Sequence, residues 1–150
     1  RQILRHRSFS FQEFSQRYAD PTDDLSFITR ECRLQDENNR QNSIEIENDP
    51  SIQEDTIKQD LITEWQRRQT GIINQCKEAY KWAVEHGIAK EQARVVLPEG
   101  LTKSRLYMNG TLRSWIHFIE LRSDNGTQKE HRLIALECAK VISEIFPDIR

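Results

Sequence analysis

A dense group of reactive side chains stands close to the beginning of the sequence. It comprises Arg5, His6, Arg7, Ser8, Glu13, Ser15, Gln16 and Arg17. A guanidinium group donates two parallel hydrogen bonds to phosphate oxygens, so clustered arginines are suited to holding an anion. An arginine-rich stretch by itself is more often a solvated surface. Here Arg-His-Arg is followed after seven residues by a serine, and this spacing favours a phosphate site. Ser15 is interpreted as a phosphate ligand rather than a nucleophile, because no base stands beside it in the sequence.

A second group lies on the segment 112–122, whose apolar residues have helical spacing. The apolar stripe comprises Leu112, Trp115, Ile116 and Ile119. Arg122 falls on the continuation of this stripe one turn later, while Arg113 and His117 occupy another face. An arginine at the end of a helix can simply complement the helix dipole, which is the simpler interpretation from the helix alone. An arginine drawn partly out of water can instead stabilise developing negative charge through a lower effective dielectric constant.

These two groups resemble the motifs of the flavin-dependent thymidylate synthases. Residues 5–18 are similar to the family signature, which is Arg-His-Arg, seven residues and Ser, with Glu two residues before that Ser and Arg-Tyr shortly after it. Gln2, three residues ahead of Arg5, also fits the pattern. The resemblance continues at 91–98 and 113–122, and through Gln128 and Glu130. Four separated blocks in the family's order make chance agreement a poor explanation.

The resemblance implies a set of site residues. The site for deoxyuridylate (dUMP) would be formed by Gln2, Arg5, Glu13, Ser15, Gln16, Arg17, Arg94 and Arg122, with Arg94 contributed by another subunit. FAD would contact Arg5, His6, Arg7, Ser8, Glu13, Arg113 and His117. Arg122 would be the catalytic residue. In the family this arginine lies against the pyrimidine and favours its ionised form, without a covalent enzyme nucleophile.

The implied reaction is the reductive methylation of dUMP to thymidylate. Methylenetetrahydrofolate supplies the carbon and reduced FAD supplies the hydride, with NADPH as the reductant of the flavin. The family is homotetrameric, so sites shared between subunits are expected. Family members carry a longer segment ahead of the signature, so the chain is expected to be an N-terminally truncated piece of such an enzyme. The alternative is a non-catalytic nucleotide-binding fragment that lacks part of the flavin site.

Length, composition and charge limit the kinds of protein that this sequence can encode. A chain of 150 residues with 36% hydrophobic and 31% charged residues is expected to form a single domain with much exposed surface. The net charge of −2 gives no reason to expect binding to nucleic acid or to a membrane surface. Three widely spaced cysteines indicate a reducing, cytoplasmic setting rather than a disulfide framework. No metal site is expected, because the spacing of His6, His117 and His131 does not match metal ligands.

The elements that position these residues are expected to form an α+β fold, with helices packed on a small mixed or antiparallel sheet. Residues 1–7 are predicted to be the end of a helix, and 8–18 an extended segment that enters a strand. The polar, aperiodic segment 22–49 predicts a flexible loop. A further strand is predicted over 104–111.

Four helices are predicted. The longest begins near 49–51, where Ser51 and Glu54 match a capping box, and ends at Gly87. Its apolar stripe is expected to be structural scaffold and comprises Ile57, Leu61, Trp65, Ile72, Cys76, Tyr80 and Ala83 or Val84. A short helix over 89–97 is stopped by Pro98, and the third helix covers 112–122. The last helix runs from a cap formed by Thr127 with Glu130 to about residue 146.

Overall fold

The computed structural model describes residues 2–13, 26–48 and 52–147. Within these ranges the strands are β1 (Ser10–Glu13), β2 (Arg33–Gln35), β3 (Ser43–Glu45) and β4 (Leu106–Asn109). The α-helices are α1 (Asp55–Glu85), α2 (Lys90–Ala93), α3 (Leu112–Arg122) and α4 (Lys129–Ile145), with 3₁₀ helices at Ile3–Arg5, Ile46–Asn48 and Arg94–Val96. The predicted α+β class is confirmed.

The chain divides into two compact units. The first unit contains Arg1–Gln12, Arg33–Glu45 and Tyr107–Arg150, and the second contains Glu13–Cys32 and Ile46–Leu106. The sheets are small, one pairing β1 with β4 and one pairing β2 with β3. The organisation as a single domain stays a prediction.

The core of the first unit is aromatic. Phe9, Phe118 and Ala135 are buried at its centre. Around them pack Ile3, Phe11, Met108, Trp115, Ile119 and Cys138. The rings of Phe9 and Trp115 meet edge to face at 4.8 Å between centroids, a preferred arrangement for aromatic pairs. Because Phe9 stands two residues after Arg7, burial of its ring against Trp115 and Phe118 fixes the Arg-His-Arg segment against α3.

Gly110 allows the close approach of Phe9 to the turn between β4 and α3. A Cβ atom at this position would lie 2.5 Å from Cδ1 and 2.7 Å from Cε1 of Phe9. Such distances are far below van der Waals contact, and the ring of Phe9 is itself buried in the core. The turn therefore requires a residue without a side chain.

Residues 33–45 form an antiparallel hairpin, in which Leu34 lies opposite Ile44. The prediction of an aperiodic loop over 22–49 is therefore wrong for this part of the chain. Each strand has only three residues, which is too short for an alternating pattern to stand out in the sequence. The turn is held by local hydrogen bonds, because the carboxylate of Asp36 accepts from the backbone N–H groups of Asn38 and Asn39 and from the side-chain amide of Asn42.

The hairpin is joined by ion pairs to the first turn of α4. Arg33 pairs with Glu130, and Lys129 pairs with Glu45. The predicted cap of this helix is wrong, because the N-cap residue is Gln128 and it makes no side-chain capping bond. Thr127 is buried instead. The two ion pairs therefore connect the first turn of α4 to the hairpin, although the helix has no side-chain cap.

Helix α1 begins later than predicted and ends where predicted. Its N-cap is Glu54, without a side-chain capping bond, so the helix does not begin near 49–51. Ser51 lies outside the described residues. Gly87 has φ of 77°, a left-handed conformation that glycine adopts at low cost and that ends helices.

The predicted scaffold stripe of α1 is largely exposed. Ile57, Leu61, Trp65 and Ile72 are between 40% and 47% accessible to solvent. Of the residues that α1 buries, Tyr80 and Ala83 belong to the predicted stripe, whereas Gln69 and Ile73 lie outside it. The helix therefore carries an apolar face without a partner among the residues that the structure describes.

Gln69 connects the segment around Arg30 to α1. It is 1% exposed, and its side chain makes two hydrogen bonds to the backbone of Arg30. The Arg30 N–H donates to Oε1 at 2.7 Å, and Nε2 donates to the Arg30 carbonyl at 2.9 Å. Since both polar ends of this buried amide are satisfied, Gln69 is a structural link rather than a candidate binding residue.

The remaining predictions of helices and strands agree with the structure in part. Within 1–7, the described residues 2–7 form a three-residue 3₁₀ helix at Ile3–Arg5 instead of the end of an α-helix, so that prediction is wrong for them. Helix α2 with its following 3₁₀ turn, strand β4 and helix α3 agree with the predicted ranges. Strand β1 falls within the predicted extended segment, of which 14–18 lie outside the described residues. None of the described helices is long and apolar enough to cross a membrane.

Candidate functional site

Arg122, the last residue of α3, is held by His6. The Nε of Arg122 donates a hydrogen bond to Nε2 of His6 at 2.8 Å. A ring nitrogen that accepts a hydrogen bond carries no proton, so His6 is neutral with its proton on Nδ1. Burial lowers the pKa of His6, and the charges of Arg122 and His117 lower it further. Among the described residues Arg122 has no other polar partner, so its two terminal amino groups remain for a ligand.

A second histidine lies behind this pair. His131, in the first turn of α4, is 7% exposed, and its Nδ1 lies 3.3 Å from Oε1 of Gln2. Its other nitrogen, Nε2, is buried and has no hydrogen-bond partner among the described residues. Burial, with the charge of Arg122, lowers the pKa of His131 to about 4. Both rings are therefore neutral near pH 7.

Phe118 packs against both histidines and is fully buried. Its ring lies 4.9 Å from that of His6, edge to face, and 5.5 Å from that of His131. The two imidazoles are 6.0 Å apart, also edge to face. This contact with the core restricts the rotamers of both histidines, and through His6 it orients the guanidinium of Arg122.

The first unit also carries arginines whose charge is not neutralised by the described residues. Arg5, Arg7 and Arg113 are exposed, and none has an ion-pair partner within 2–13, 26–48 and 52–147. His117 is exposed one turn after Arg113 on the same face of α3. Ser8, also exposed, is next to Arg7. This arrangement can bind phosphate oxygens without first breaking an internal ion pair.

The other predicted site residues belong to the second unit or lie outside the described residues. Glu13, at the end of β1, accepts a hydrogen bond from the Ser104 hydroxyl at 2.6 Å. Arg94 is exposed at the start of a 3₁₀ helix. Ser15, Gln16 and Arg17 fall in the part that is not described. The structure therefore brings together Gln2, His6 and Arg122, and does not test the predicted contacts of the others.

A groove of about 630 Å³ lies against the small sheet of the first unit and was not predicted. It is lined by Ser10, Phe11, Gln12, Tyr107, Met108, Asn109, Gly110 and Trp115. Aromatic rings with a few amide and hydroxyl groups are typical of pockets for flat ring systems. The sequence signal was the alternation along β1 and β4, which places every second side chain on one face, but it does not show which strands pair.

The described residues indicate neither a reactive cysteine nor a metal site. All three cysteines are free, and burial together with Glu137 raises the pKa of the Cys138 thiol, so it is a poor nucleophile. In the described part of the chain, no three His, Cys, Asp or Glu side chains stand close enough to hold a metal ion.

Comparison with known proteins gives consistent results. The sequence model of the family described as thymidylate synthase complementing protein matches residues 1–148. The chain is 46% identical over 148 residues to the "Probable flavin-dependent thymidylate synthase" of Paramecium bursaria Chlorella virus 1, covering 99% of the chain and 62% of that relative. It is 45% identical over 149 residues to the flavin-dependent thymidylate synthase of Synechocystis, with the same coverage. The enzyme of that name from Kosmotoga olearia is 34% identical over 147 residues, which is 98% of the chain and 59% of that relative.

Fold and site together define an α+β protein in which Arg122 is hydrogen-bonded to the neutral imidazole of His6, with the buried ring of His131 behind it. The chain belongs to the thymidylate synthase complementing protein family, the family of the flavin-dependent thymidylate synthases. It spans about 60% of the length of the curated relatives that it matches.

Proposed function

We propose that this chain carries the dUMP site, and part of the flavin site, of an enzyme that converts dUMP to thymidylate by reductive methylation. Methylenetetrahydrofolate would be the carbon donor, and NADPH the reductant of the FAD cofactor. The observation that carries the proposal is the guanidinium of Arg122 held through Nε by a neutral histidine. Family membership supplies the class of reaction.

Arg122 would act on the pyrimidine of dUMP. A guanidinium remains protonated at any working pH, so it can stabilise the negative charge of an ionised ring without a proton transfer of its own. Its Nε is already engaged with His6, so the terminal amino groups are oriented before the ligand arrives. A preorganised charge of this kind needs no rearrangement when negative charge develops, which makes it effective in catalysis.

The other residues of the proposed dUMP site would bind the phosphate and form hydrogen bonds to the edges of the base. It would use Gln2, Arg5 and Glu13, with Arg94 contributed by another subunit. Ser15, Gln16 and Arg17 complete the proposed set. The exposure of Arg5 and Arg94, and their lack of ion pairs within the described ranges, support roles as phosphate ligands.

The residues present fit FAD as a cofactor. The exposed guanidinium groups of Arg5, Arg7 and Arg113 are suited to a pyrophosphate, and Ser8, Glu13 and His117 offer further polar atoms. The aromatic groove of the first unit is suited to a flat ring. When bound, FAD supplies the hydride for the reduction. The protein's own contribution would be to bind the phosphates, orient the ligands and exclude water.

We propose that the active unit is a homotetramer with shared sites. The support is the exposed apolar stripe of α1, defined by Ile57, Leu61, Trp65 and Ile72. An unpartnered apolar face of this length on a helix is typical of a subunit contact. We also propose a reducing, cytoplasmic setting, which agrees with three free cysteines.

Two measurements on the purified chain test the function. Flavin absorbance in the preparation and release of tritium from labelled dUMP, with methylenetetrahydrofolate and NADPH present, are the expected results. The main alternative is a non-catalytic nucleotide-binding fragment, because the chain covers only part of the length of its relatives. Colourless protein that binds dUMP in a calorimeter but releases no tritium would favour this alternative. A chain that binds neither flavin nor dUMP would contradict both.

A further inference from the structure

His131 lies behind the proposed dUMP site and outside every motif of the sequence. Its Nδ1 is 3.3 Å from Oε1 of Gln2, and its ring packs edge to face against that of His6. We propose that His131 is a positioning residue: it orients the side-chain amide of Gln2 and supports the His6 ring that holds Arg122. This inference rests on the proposed function, because that function makes Gln2 and Arg122 ligands of the nucleotide.

The hydrogen bond fixes where the proton of His131 resides. The Oε1 atom of Gln2 can only accept, so Nδ1 of His131 must donate. In a neutral imidazole the other nitrogen, Nε2, then carries a lone pair and no proton. This agrees with the burial of Nε2 without a partner among the described residues, since an unmet N–H at this position would be the costlier alternative.

The same bond fixes the amide of Gln2. Because Oε1 is taken by His131, the amide nitrogen of Gln2 is left as a donor on an exposed side chain. A donor in a fixed orientation is suited to a carbonyl oxygen of a pyrimidine. Without His131 the amide could rotate freely, and binding would have to restrict it.

The charges around His131 favour its neutral form. Arg122 faces it from α3, and His6 faces it from the segment after the first 3₁₀ helix. The neighbouring carboxylate of Glu130 is engaged by Arg33. A neutral His131 adds no positive charge beside His6, so His6 also stays neutral and can accept the Nε hydrogen bond of Arg122.

Two substitutions separate the hydrogen bond from the bulk of the ring. His131→Asn places an amide N–H close to the position of Nδ1, whereas His131→Leu fills similar space with no donor. Glu137→Gln, on the exposed side of the same helix, is the matched control. The affinity for dUMP is measured by titration calorimetry, and the melting temperature by circular dichroism.

We expect His131→Leu to weaken dUMP binding about tenfold, the scale of one hydrogen bond, with the melting temperature kept. His131→Asn should bind within about threefold of wild type, and the control should bind as wild type does. In a Gln2→Ala background His131→Leu should cause no further loss, because the two residues act as one unit. Equal losses in both backgrounds, or wild-type affinity in His131→Leu, would overturn the proposal.

A measurement without nucleotide separates this inference from the proposed function. In a ¹⁵N spectrum of the histidine rings, His131 should carry its proton on Nδ1, and Gln2→Ala should change its ring shifts. A proton on Nε2 would overturn the inference even if the chain binds dUMP. If wild-type protein binds no dUMP, the proposed function fails, and the ring spectrum still decides whether His131 holds Gln2.

Discussion

Lowering the pH from about 7 to about 5 should destabilise this protein through one buried ring, that of His131. In the folded chain, burial and the charge of Arg122 lower the pKa of this imidazole from 6.5 to about 4. In the unfolded chain the ring titrates near its ordinary pKa. Between these two values the unfolded state binds a proton that the folded state does not. Stability is therefore unaffected above about pH 6.5 and falls as the pH decreases toward 4.

The magnitude follows from the difference between the two pKa values. Each unit corresponds to about 1.4 kcal/mol, so His131 should cost about 2 kcal/mol at pH 5 and about 3 kcal/mol at pH 4. This would be a large part of the stability of a domain of this size. His6 should act in the same direction, because burial and its charged neighbours also lower its pKa.

Urea unfolding of wild-type protein and of His131→Leu, at several pH values between about 7 and about 4, measures the effect. The carboxylates of Asp36 and Glu45 also titrate at the acid end, but they contribute equally to both proteins and cancel in the difference. Leu133→Gln, which changes an exposed, non-titrating side chain of the same helix as His131, should give a curve parallel to wild type. Parallel curves for wild type and His131→Leu would refute the reasoning, because they would show that the folded protein does not exclude the proton.

Three further predictions concern the site, the core and the surface. Arg122→Ala should lower turnover at least about 100-fold in the tritium-release assay while the melting temperature is kept, because the lost charge acts on the reacting ring. Gly110→Ala should destabilise the fold by about 1–3 kcal/mol in urea unfolding, because its Cβ would lie 2.5 Å from a carbon of Phe9. Trp65→Glu, in the exposed stripe of α1, should lower the oligomeric state measured by light scattering, because a charge would be buried in the proposed subunit contact.

The prediction for Arg122 has one outcome that would contradict it, and the other two predictions each have a control variant in the same chain. Turnover unchanged in Arg122→Ala would remove the role assigned to that residue. For the core, Gly100→Ala adds a Cβ with nothing within 4 Å, so it should be nearly neutral. Equal effects of the two alanine substitutions would show that Phe9 moves aside freely. For the surface, Lys81→Glu in the same helix, whose exposed side chain lies outside the stripe, should leave the assembly intact.

The sequence predicted well those elements whose pattern is long and local. The apolar spacing over 112–122 was enough to define α3, and Gly87 marked the end of α1. The same pattern did not identify Phe118, which is fully buried although it lies outside the predicted stripe. Periodicity shows that a helix has an apolar face, but the neighbouring elements decide which side chains they cover.

The types of residue in the site could be predicted from the sequence, but the hydrogen bonds between them could not. The resemblance placed His6 and Arg122 in one active site, although with different ligands. Nothing in the sequence indicates that they are bonded to each other, since 116 positions separate them. The sequence suggests only a metal-ligand role for His131, and its spacing from the other histidines argues against that role. The position of His131 in the site depends on burial and on the approach of Gln2, which no local pattern encodes. The hairpin over 33–45 could not be predicted from local sequence, because its strands are very short and long-range ion pairs to α4 support them.

The link between Gln69 and Arg30 has a consequence for changes in the length of α1. The amide offers Arg30 the donor and the acceptor that a neighbouring strand would otherwise provide, so the stretch around Arg30 is held in place outside any sheet. An insertion of one residue between Leu61 and Gln69 would turn the two ends of the helix by about 100° relative to each other. The amide would then point away from Arg30 unless the rest of the helix turned with it. Natural variation in the length of this helix is therefore expected to occur before Leu61 or after Tyr80, and not between them.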